Sequence, residues 1–155
     1  MTDLNKPGTI ERTIALSEIN AIVNRYCILA RENAPWDEMT KLFEHDAIFR
    51  LPNGIELSPQ NMSAVVGGME AKYIRHHITS CNVYFTSPTE ASVESFFIAV
   101  TDWAVIDHWG GWKDEFRKQE DGSWLIRDKT IVVDGRDPDG WSTARAAAGK
   151  KQTSQ

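Results

Sequence analysis

The stretch IRHHITSCNVYFTSPTEASVESFFIAV, residues 74–100, decides the fold of this chain. It is rich in β-branched and aromatic residues, and a Ser-Pro-Thr turn at residues 87–89 interrupts it near its middle. This pattern is typical of two strands joined by a tight turn. We therefore predict antiparallel strands over residues 76–85 and 91–103, in a sheet that begins where the helices of the first half of the chain end.

Two further strands follow at residues 109–118 and 124–134, separated by the hairpin signal Asp121-Gly122. A strand of about 11 residues is about 35 Å long at about 3.3 Å per residue, and strands of that length twist and curl. The sequence therefore predicts a curved sheet, antiparallel or mixed, in the second half of the chain.

The first half of the chain predicts three short helices. Apolar residues recur every three or four positions from Ile14 to Ala30, which indicates an amphipathic helix. Pro35 suits the first turn of a second helix, and Ser58-Pro59 is a typical start of a third. Three helices on the concave face of a curled sheet form an α+β cone. Because they cannot fill it, an apolar pocket should remain at its open end.

A chain of 155 residues suits one domain. We predict a disordered lead at residues 1–12, a folded domain at residues 13–136 and a flexible C-terminal tail at residues 137–155. The net charge of −5 argues against nucleic acid as a partner, and no apolar run approaches the roughly 20 residues that span a membrane. Two cysteines without metal-ligand spacing predict free thiols in a reducing cytoplasm and no zinc site.

His76 and His77 open the first long strand, and side chains alternate along a strand, so only one of them faces the pocket. If that residue is His76, Ile78 shares its face. A pocket histidine can act as a general base or acid when a carboxylate fixes its tautomer. Glu32, at the end of the first helix, and Asp102, at the end of the second strand, are the candidates for that carboxylate.

Structural or surface roles are expected for His45, Asp107, His108, Asp114 and Glu115. His45 and His108 lie in predicted loops, and the pair Asp107-His108 shows no partner pattern. Asp114 and Glu115 are expected at a solvated strand edge.

Four segments resemble a known family in their order and spacing: Arg75-His76, SVESFF at 92–97, GWKDEFR at 111–117 and DGSWLI at 121–126. The chain resembles the SnoaL-like domains of the NTF2-like superfamily over about residues 12–135. The resemblance implies the α+β cone. It also implies cofactor-free proton transfer on a hydrophobic substrate, as in scytalone dehydratase, polyketide cyclases, a hexachlorocyclohexane dehydrochlorinase and steroid isomerases. The small subunits of ring-hydroxylating dioxygenases share this fold and are mainly structural.

In the lyases of this family, a histidine at the start of a strand pairs with an aspartate of the first helix, four residues before an aromatic residue. The resemblance implies His76 as the histidine. Counting back four residues from Trp36 gives Glu32, whereas a one-residue insertion would place Arg31 there instead. Tyr26 corresponds to a tyrosine of the first helix, one residue out of register.

We expect a cofactor-independent lyase or isomerase of the dehydratase or cyclase type, in which His76 abstracts a proton and Glu32 orients the imidazole. Asp102, near the position of the second histidine of scytalone dehydratase, or Tyr26 would contact the leaving group or a carbonyl oxygen. Neither a metal nor a cofactor is expected. The residues expected to line the substrate pocket are Tyr26, Phe49, Leu51, Val65, Met69 and Ile78.

The alternative function is a non-catalytic module, either a ligand carrier or a structural small subunit of a ring-hydroxylating dioxygenase. The expected partner of the enzyme is a small hydrophobic or aromatic molecule. In either case a homodimer or homotrimer is expected, formed through the convex face of the sheet with Trp112 or Trp124. Neither nucleic acid nor a membrane is expected as a partner.

Overall fold

The computed structural model describes residues 3–66 and 68–152, with only the backbone of residues 150–152. It has the predicted α+β architecture, a curved sheet with helices packed against it. The elements, in chain order, are α1 (Ile10–Leu29), α2 (Trp36–Thr40), β1 (Phe43–Arg50), β2 (Glu56–Leu57), a 3-10 helix (Pro59–Val65), β3 (Ile74–Ser87), β4 (Glu90–Thr101), β5 (His108–Lys118), β6 (Trp124–Arg136) and α3 (Trp141–Gln152).

The six strands form one mixed sheet in the order β2-β1-β6-β5-β4-β3. The four long strands are antiparallel neighbours, and β1 pairs parallel with β6. The predicted strands are therefore confirmed, and the third predicted helix is a 3-10 helix that begins at Pro59. None of the described helices is long and apolar enough to cross a membrane.

Helix α1 lies against the sheet because one stripe of its surface is apolar. Its buried residues follow the spacing expected of an amphipathic helix: Ala15, Ile19, Val23, Tyr26 and Leu29. The helix begins after Thr9, whose side-chain oxygen accepts a hydrogen bond from the backbone N–H of Arg12. The stripe packs on the concave face of the sheet, which places the end of α1 beside the start of β3.

The predicted disordered lead differs from the structure, because described residues before α1 pack onto the sheet. Leu4 is buried, and the side-chain amide of Asn5 bonds the backbone of Phe85 through both its oxygen and its nitrogen. Such an anchor depends on a residue 80 positions away, so no local pattern indicates it. Residues 1 and 2 lie outside the described part of the chain.

The predicted flexible tail also needs correction, because residues 141–152 form α3. Alanines 144 and 146–148 favour a helix, and Asp107 binds the first two backbone N–H groups of α3 from outside the segment. Residues 153–155 lie outside the described part of the chain.

The expected position of Trp112 and Trp124 on the convex face is wrong, since each side chain is only 2% exposed and belongs to the core. The large apolar side chains on the outer face near β4 and β5 include Phe96, Ile106 and Trp109, which are 40–51% exposed. The homodimer or homotrimer stays a prediction, and this outer patch is the surface through which we expect it to form.

Candidate functional site

A cavity of about 580 Å³ lies between the concave face of the sheet, the end of α1 and helix α3. Its inner wall is mainly aromatic and aliphatic, formed among others by Tyr26, Met39, Phe49, Phe97, Trp112 and Ile131. Two histidines, His76 and His108, are part of the same wall. An apolar cavity of this size with a few polar groups is typical of a site for a small molecule.

His76 lies near the start of β3, which begins at Ile74. Its Nδ1 lies 2.8 Å from the carbonyl oxygen of Ala30. A carbonyl oxygen can only accept, so Nδ1 carries the hydrogen and Nε2 of the neutral ring is left as an acceptor. Burial, followed by the charge of His108, lowers the pKa of His76 to about 3. His76 is therefore a neutral imidazole at neutral pH.

The expected pairing of Glu32 with His76 is not formed. The Glu32 carboxylate instead accepts a hydrogen bond from Arg75 Nη1 at 2.6 Å and from the backbone N–H of Ile74 at 2.9 Å. The bond from Arg75 is the main reason why the pKa of Glu32 falls to about 2. Helix α1 ends at Leu29, so the chain turns away before Glu32 and presents the backbone of Ala30 to His76. Glu32 lines the rim of the cavity, as does the exposed Arg31.

Asp102 is not part of the cavity wall. Its Oδ1 accepts a hydrogen bond of 2.9 Å from the backbone N–H of Lys72, and this contact fixes the loop after β4 to the segment before β3. The structure therefore gives Asp102 a structural contact and does not bring it to His76.

A carboxylate–imidazole pair that the sequence did not identify as functional is formed by Asp107 and His108. His108 is in the cavity wall, and Asp107 lies behind it. The Nδ1 of His108 lies 2.8 Å from Asp107 Oδ1, and both residues are buried, with Asp107 fully enclosed. The ring centroids of His108 and His76 are 5.7 Å apart. His108 begins β5 and faces inward, as does Trp112 four residues later. This alternation along the strand could have indicated that His108 is a cavity residue.

Four hydrogen bonds hold the carboxylate of Asp107 in place. Its Oδ1 accepts from His108 and from the backbone N–H of Ser142 at 3.0 Å. Its Oδ2 accepts from Thr101 Oγ1 at 2.9 Å and from the backbone N–H of Trp141 at 2.6 Å. Gly140 permits this approach, because a Cβ atom there would lie 2.8 Å from Oδ2. Asp107 therefore joins the catalytic candidate His108 to the first turn of α3.

Burial lowers the pKa of His108, and the hydrogen bond from its ring to Asp107 opposes this shift. The bond to the carboxylate keeps hydrogen on Nδ1 and leaves Nε2 as the proton acceptor of the neutral ring. A carboxylate in this position also stabilises the imidazolium that forms when Nε2 takes a proton. The pair thus has the geometry of a general base that can later return the proton.

A buried ion pair lies behind the cavity wall, where Lys129 Nζ is 2.9 Å from both carboxylate oxygens of Asp114. The same Nζ is 4.0 Å from the ring centroid of Tyr26 and 4.4 Å from that of Trp112. The expectation that Asp114 is solvated is wrong, because its side chain is 1% exposed. The positive charge of Lys129 also contributes to the low pKa of His76, after burial and His108.

Four of the six residues predicted to bind substrate line the cavity: Tyr26, Phe49, Leu51 and Val65. Met69 and Ile78 are not in its wall. The carbonyl of Met69 accepts a hydrogen bond of 3.3 Å from the indole of Trp141, and Ile78 packs against the core. A binding role for any of them stays a prediction.

The cysteines are free thiols, and Cys27 Sγ donates to the carbonyl of His76 at 3.0 Å. Within the described ranges 3–66 and 68–152, no group of three or more His, Cys, Asp or Glu side chains is arranged to hold a metal ion.

Comparison with known proteins gives a family and several similar folds. The model of the SnoaL-like domain family matches residues 11–130. A candidate scytalone dehydratase from Novosphingobium aromaticivorans DSM 12444 is similar in structure, with a TM-score of 0.69 and 17% identity, over 82% of this chain and 89% of that one. No curated protein matches the sequence.

Two further solved structures differ in what they do. The hexachlorocyclohexane dehydrochlorinase LinA-type3 from Novosphingobium barchaimii LL02 has a TM-score of 0.70 and 12% identity, over 83% of this chain and 92% of that one. The beta subunit of a candidate aromatic-ring-hydroxylating dioxygenase from Novosphingobium aromaticivorans DSM 12444 has a TM-score of 0.65 and 15% identity, over 81% and 93%. At these identities the similarity concerns the fold.

Proposed function

This chain belongs to the SnoaL-like domain family, and we propose that it is a cofactor-independent lyase or isomerase in which the Asp107–His108 pair transfers a proton on a small hydrophobic or aromatic substrate. The observation that carries the proposal is the 2.8 Å contact between His108 Nδ1 and the enclosed carboxylate of Asp107, beside an apolar cavity. It replaces the pairing of His76 with Glu32 that the family pattern implies.

In the proposed reaction, His108 Nε2 takes a proton from a substrate carbon next to an activating group. The C–H electron pair forms the new double bond, and the leaving group departs with its own bonding pair. When the leaving group is a hydroxyl, the imidazolium returns its proton to it, and water is released with His108 neutral again. Asp107 fixes the ring and stabilises its charge during the step.

His76 has a different role, because its Nδ1 faces a carbonyl oxygen and not a carboxylate. A backbone carbonyl stabilises an imidazolium less than a full negative charge does, and the neighbouring His108 disfavours a second positive charge. We therefore propose that His76 Nε2 accepts a hydrogen bond from a substrate hydroxyl. This bond would position the reacting carbon of the substrate next to His108.

The test is turnover on a panel of two-ring β-hydroxy ketones and chlorinated cyclohexanes, followed by enone absorbance and by chloride release. His108→Gln should lower kcat by a factor of about 10² to 10⁴ on any compound that reacts, with the fold intact by circular dichroism. Asp107→Asn should also lower it, because the amide cannot stabilise the imidazolium by charge. Asp102→Asn is the matched carboxylate control and should change kcat less than about twofold.

Unchanged turnover in the His108 variant would exclude His108 as the base. If the panel compounds occupy the cavity but none reacts, the non-catalytic alternative is favoured, as a ligand carrier or a dioxygenase subunit. The open cavity supports the enzyme over a purely structural subunit, for which a cone filled by side chains is expected.

A further inference from the structure

The rim of the cavity carries more positive than negative charge. Three arginines line it, Arg31, Arg136 and Arg145, together with two glutamates. Glu32 is already bound to Arg75, which leaves the exposed Glu70 as the other acidic group. Within the described part of the chain, none of the three lining arginines forms an ion pair. A hydrophobic cavity therefore opens beside guanidinium groups for which the described residues supply no carboxylate partner.

Arg145, on α3, lacks acceptors for part of its guanidinium. Among the described residues, its Nε is buried without a hydrogen-bond partner, and its Nη2 reaches the carbonyl of Ala64 at 3.5 Å and no other acceptor. Gly149, one turn further along α3, leaves room for the group, because a Cβ there would lie 3.2 Å from Nη1. A glycine inside a helix costs about 0.5–1 kcal/mol relative to alanine, and a buried donor without an acceptor costs about 1–3 kcal/mol. Nη1 of the same guanidinium forms no hydrogen bond within the described residues, and it is the atom that we expect a ligand oxygen to contact.

Arg136, at the end of β6, is oriented by α3 and lies near the proposed base. Its Nε donates to Ser142 Oγ at 3.0 Å, so the two Nη nitrogens remain for a ligand. After burial, its positive charge is the second influence that lowers the pKa of His108. An anion on Arg136 would therefore sit within electrostatic reach of His108.

We propose that the ligand of this cavity is a hydrophobic carboxylate, whose rings occupy the aromatic interior and whose carboxylate binds Arg136 and Arg145. The inference rests on the proposed function in taking this cavity as the substrate site. A carboxylate suits guanidinium groups because two parallel N–H···O bonds form with each, and such charge-assisted bonds are about twice as strong as neutral ones. Binding would also offset the charge of Arg136 and so favour proton uptake by His108.

The test compares 2-naphthoate with 2-naphthamide, two ligands of almost equal size that differ in charge, by isothermal titration calorimetry at low salt. We expect 2-naphthoate to bind at least tenfold more tightly. Arg136→Gln and Arg145→Gln should each lower the affinity for 2-naphthoate about tenfold and the affinity for 2-naphthamide less than twofold. Arg25→Gln, on the outer surface of α1, is the matched control and should leave both affinities unchanged.

Equal affinities for the two ligands would overturn the proposal, as would no binding of 2-naphthoate at millimolar concentration. Arginine variants that weaken both ligands alike would also overturn it, since they would then act through the fold. Ser142→Ala keeps both arginines and removes only the bond to Arg136 Nε, so it should retain a preference for 2-naphthoate. Calorimetry on the unmodified protein measures binding and not turnover, so the carboxylate proposal can be confirmed or overturned even if no compound reacts.

Discussion

His76 and His108 differ in the atom that faces their Nδ1, and this difference separates their roles. A neutral carbonyl oxygen faces His76, and a carboxylate faces His108. Only the second arrangement gains substantially when the ring becomes charged. For this reason the proposal places the proton on His108 during the reaction and leaves His76 neutral as a hydrogen-bond acceptor.

The low pKa of His76 predicts that stability falls in mild acid. Folding lowers this pKa from 6.5 to about 3, so the unfolded chain binds more protons between these values. The free energy of unfolding is then greatest above pH 6.5 and declines towards pH 3 by up to about 1.4 kcal/mol per pH unit for this residue. Urea unfolding from pH 7 to pH 4 measures the slope.

His76→Gln can keep a hydrogen bond to Ala30 but cannot take up a proton, so its stability should depend less on pH over this range. His45→Gln replaces an exposed histidine that does not contribute to the low pKa of His76, and it should leave the slope as it is in the unmodified protein. If the free energy of unfolding changes with pH in the same way in the unmodified protein and in the His76 variant, the fold does not keep His76 neutral.

At the scale of single residues, the sequence predicts the position of His76 but not its partner. Strand alternation allows one of His76 and His77 to face inward, and the family resemblance selects His76. Glu32 binds Arg75 instead of His76. This pairing depends on where α1 ends relative to β3, and no local sequence pattern indicates that position. His108 was missed because Asp107 belongs to a connection between strands, where neighbouring polar residues are usually solvated.

At the scale of elements, Asp114 of β5 and Lys129 of β6 are directly opposite each other in the antiparallel pair and form an ion pair. Both side chains are buried, so each charge depends on the other for compensation. Removing one member of such a pair typically costs about 3–5 kcal/mol, whereas replacing both by apolar residues is often nearly neutral.

We therefore expect Lys129→Met to lower the free energy of unfolding by about 3–5 kcal/mol, measured by urea denaturation at pH 7. The double variant Lys129→Met with Asp114→Leu should recover most of this loss, because no uncompensated charge remains. Arg127→Met breaks the exposed pair with Glu90 and should cost less than about 1 kcal/mol. Additive losses in the double variant would contradict the account of a coupled pair.

The sequence predicts some of the helices and strands well and others not at all. The long strands follow from β-branched and aromatic residues between clear turns, and β3, predicted at residues 76–85, is observed at Ile74–Ser87. Helix α3 was not predicted, because it is short, polar and preceded by the loop residues Pro138 and Gly140. Its first turn is held by Asp107, a contact 34 residues away in sequence.

For the whole molecule, the curled sheet produces the cavity, and the connection before β5 determines its chemistry. The cone and its apolar pocket follow from strand length and helix number. The charged rim does not, because Arg145 belongs to α3 and Arg136 is bound by Ser142 of that helix. One acidic residue, Asp107, links this docking to the proposed base, so the site and the C-terminal helix are expected to be ordered together.

The state of the His108 ring tests the central claim most directly. Long-range ¹H–¹⁵N NMR of histidine-labelled protein at neutral pH distinguishes a ring protonated at Nδ1 from one protonated at Nε2. The Asp107–His108 pair predicts Nδ1–H with a free Nε2 on His108, and a shift towards the Nε2–H form in Asp107→Asn. A His108 ring that carries its hydrogen on Nε2, or that is unaffected by Asp107→Asn, would contradict the assignment of His108 as the proton acceptor.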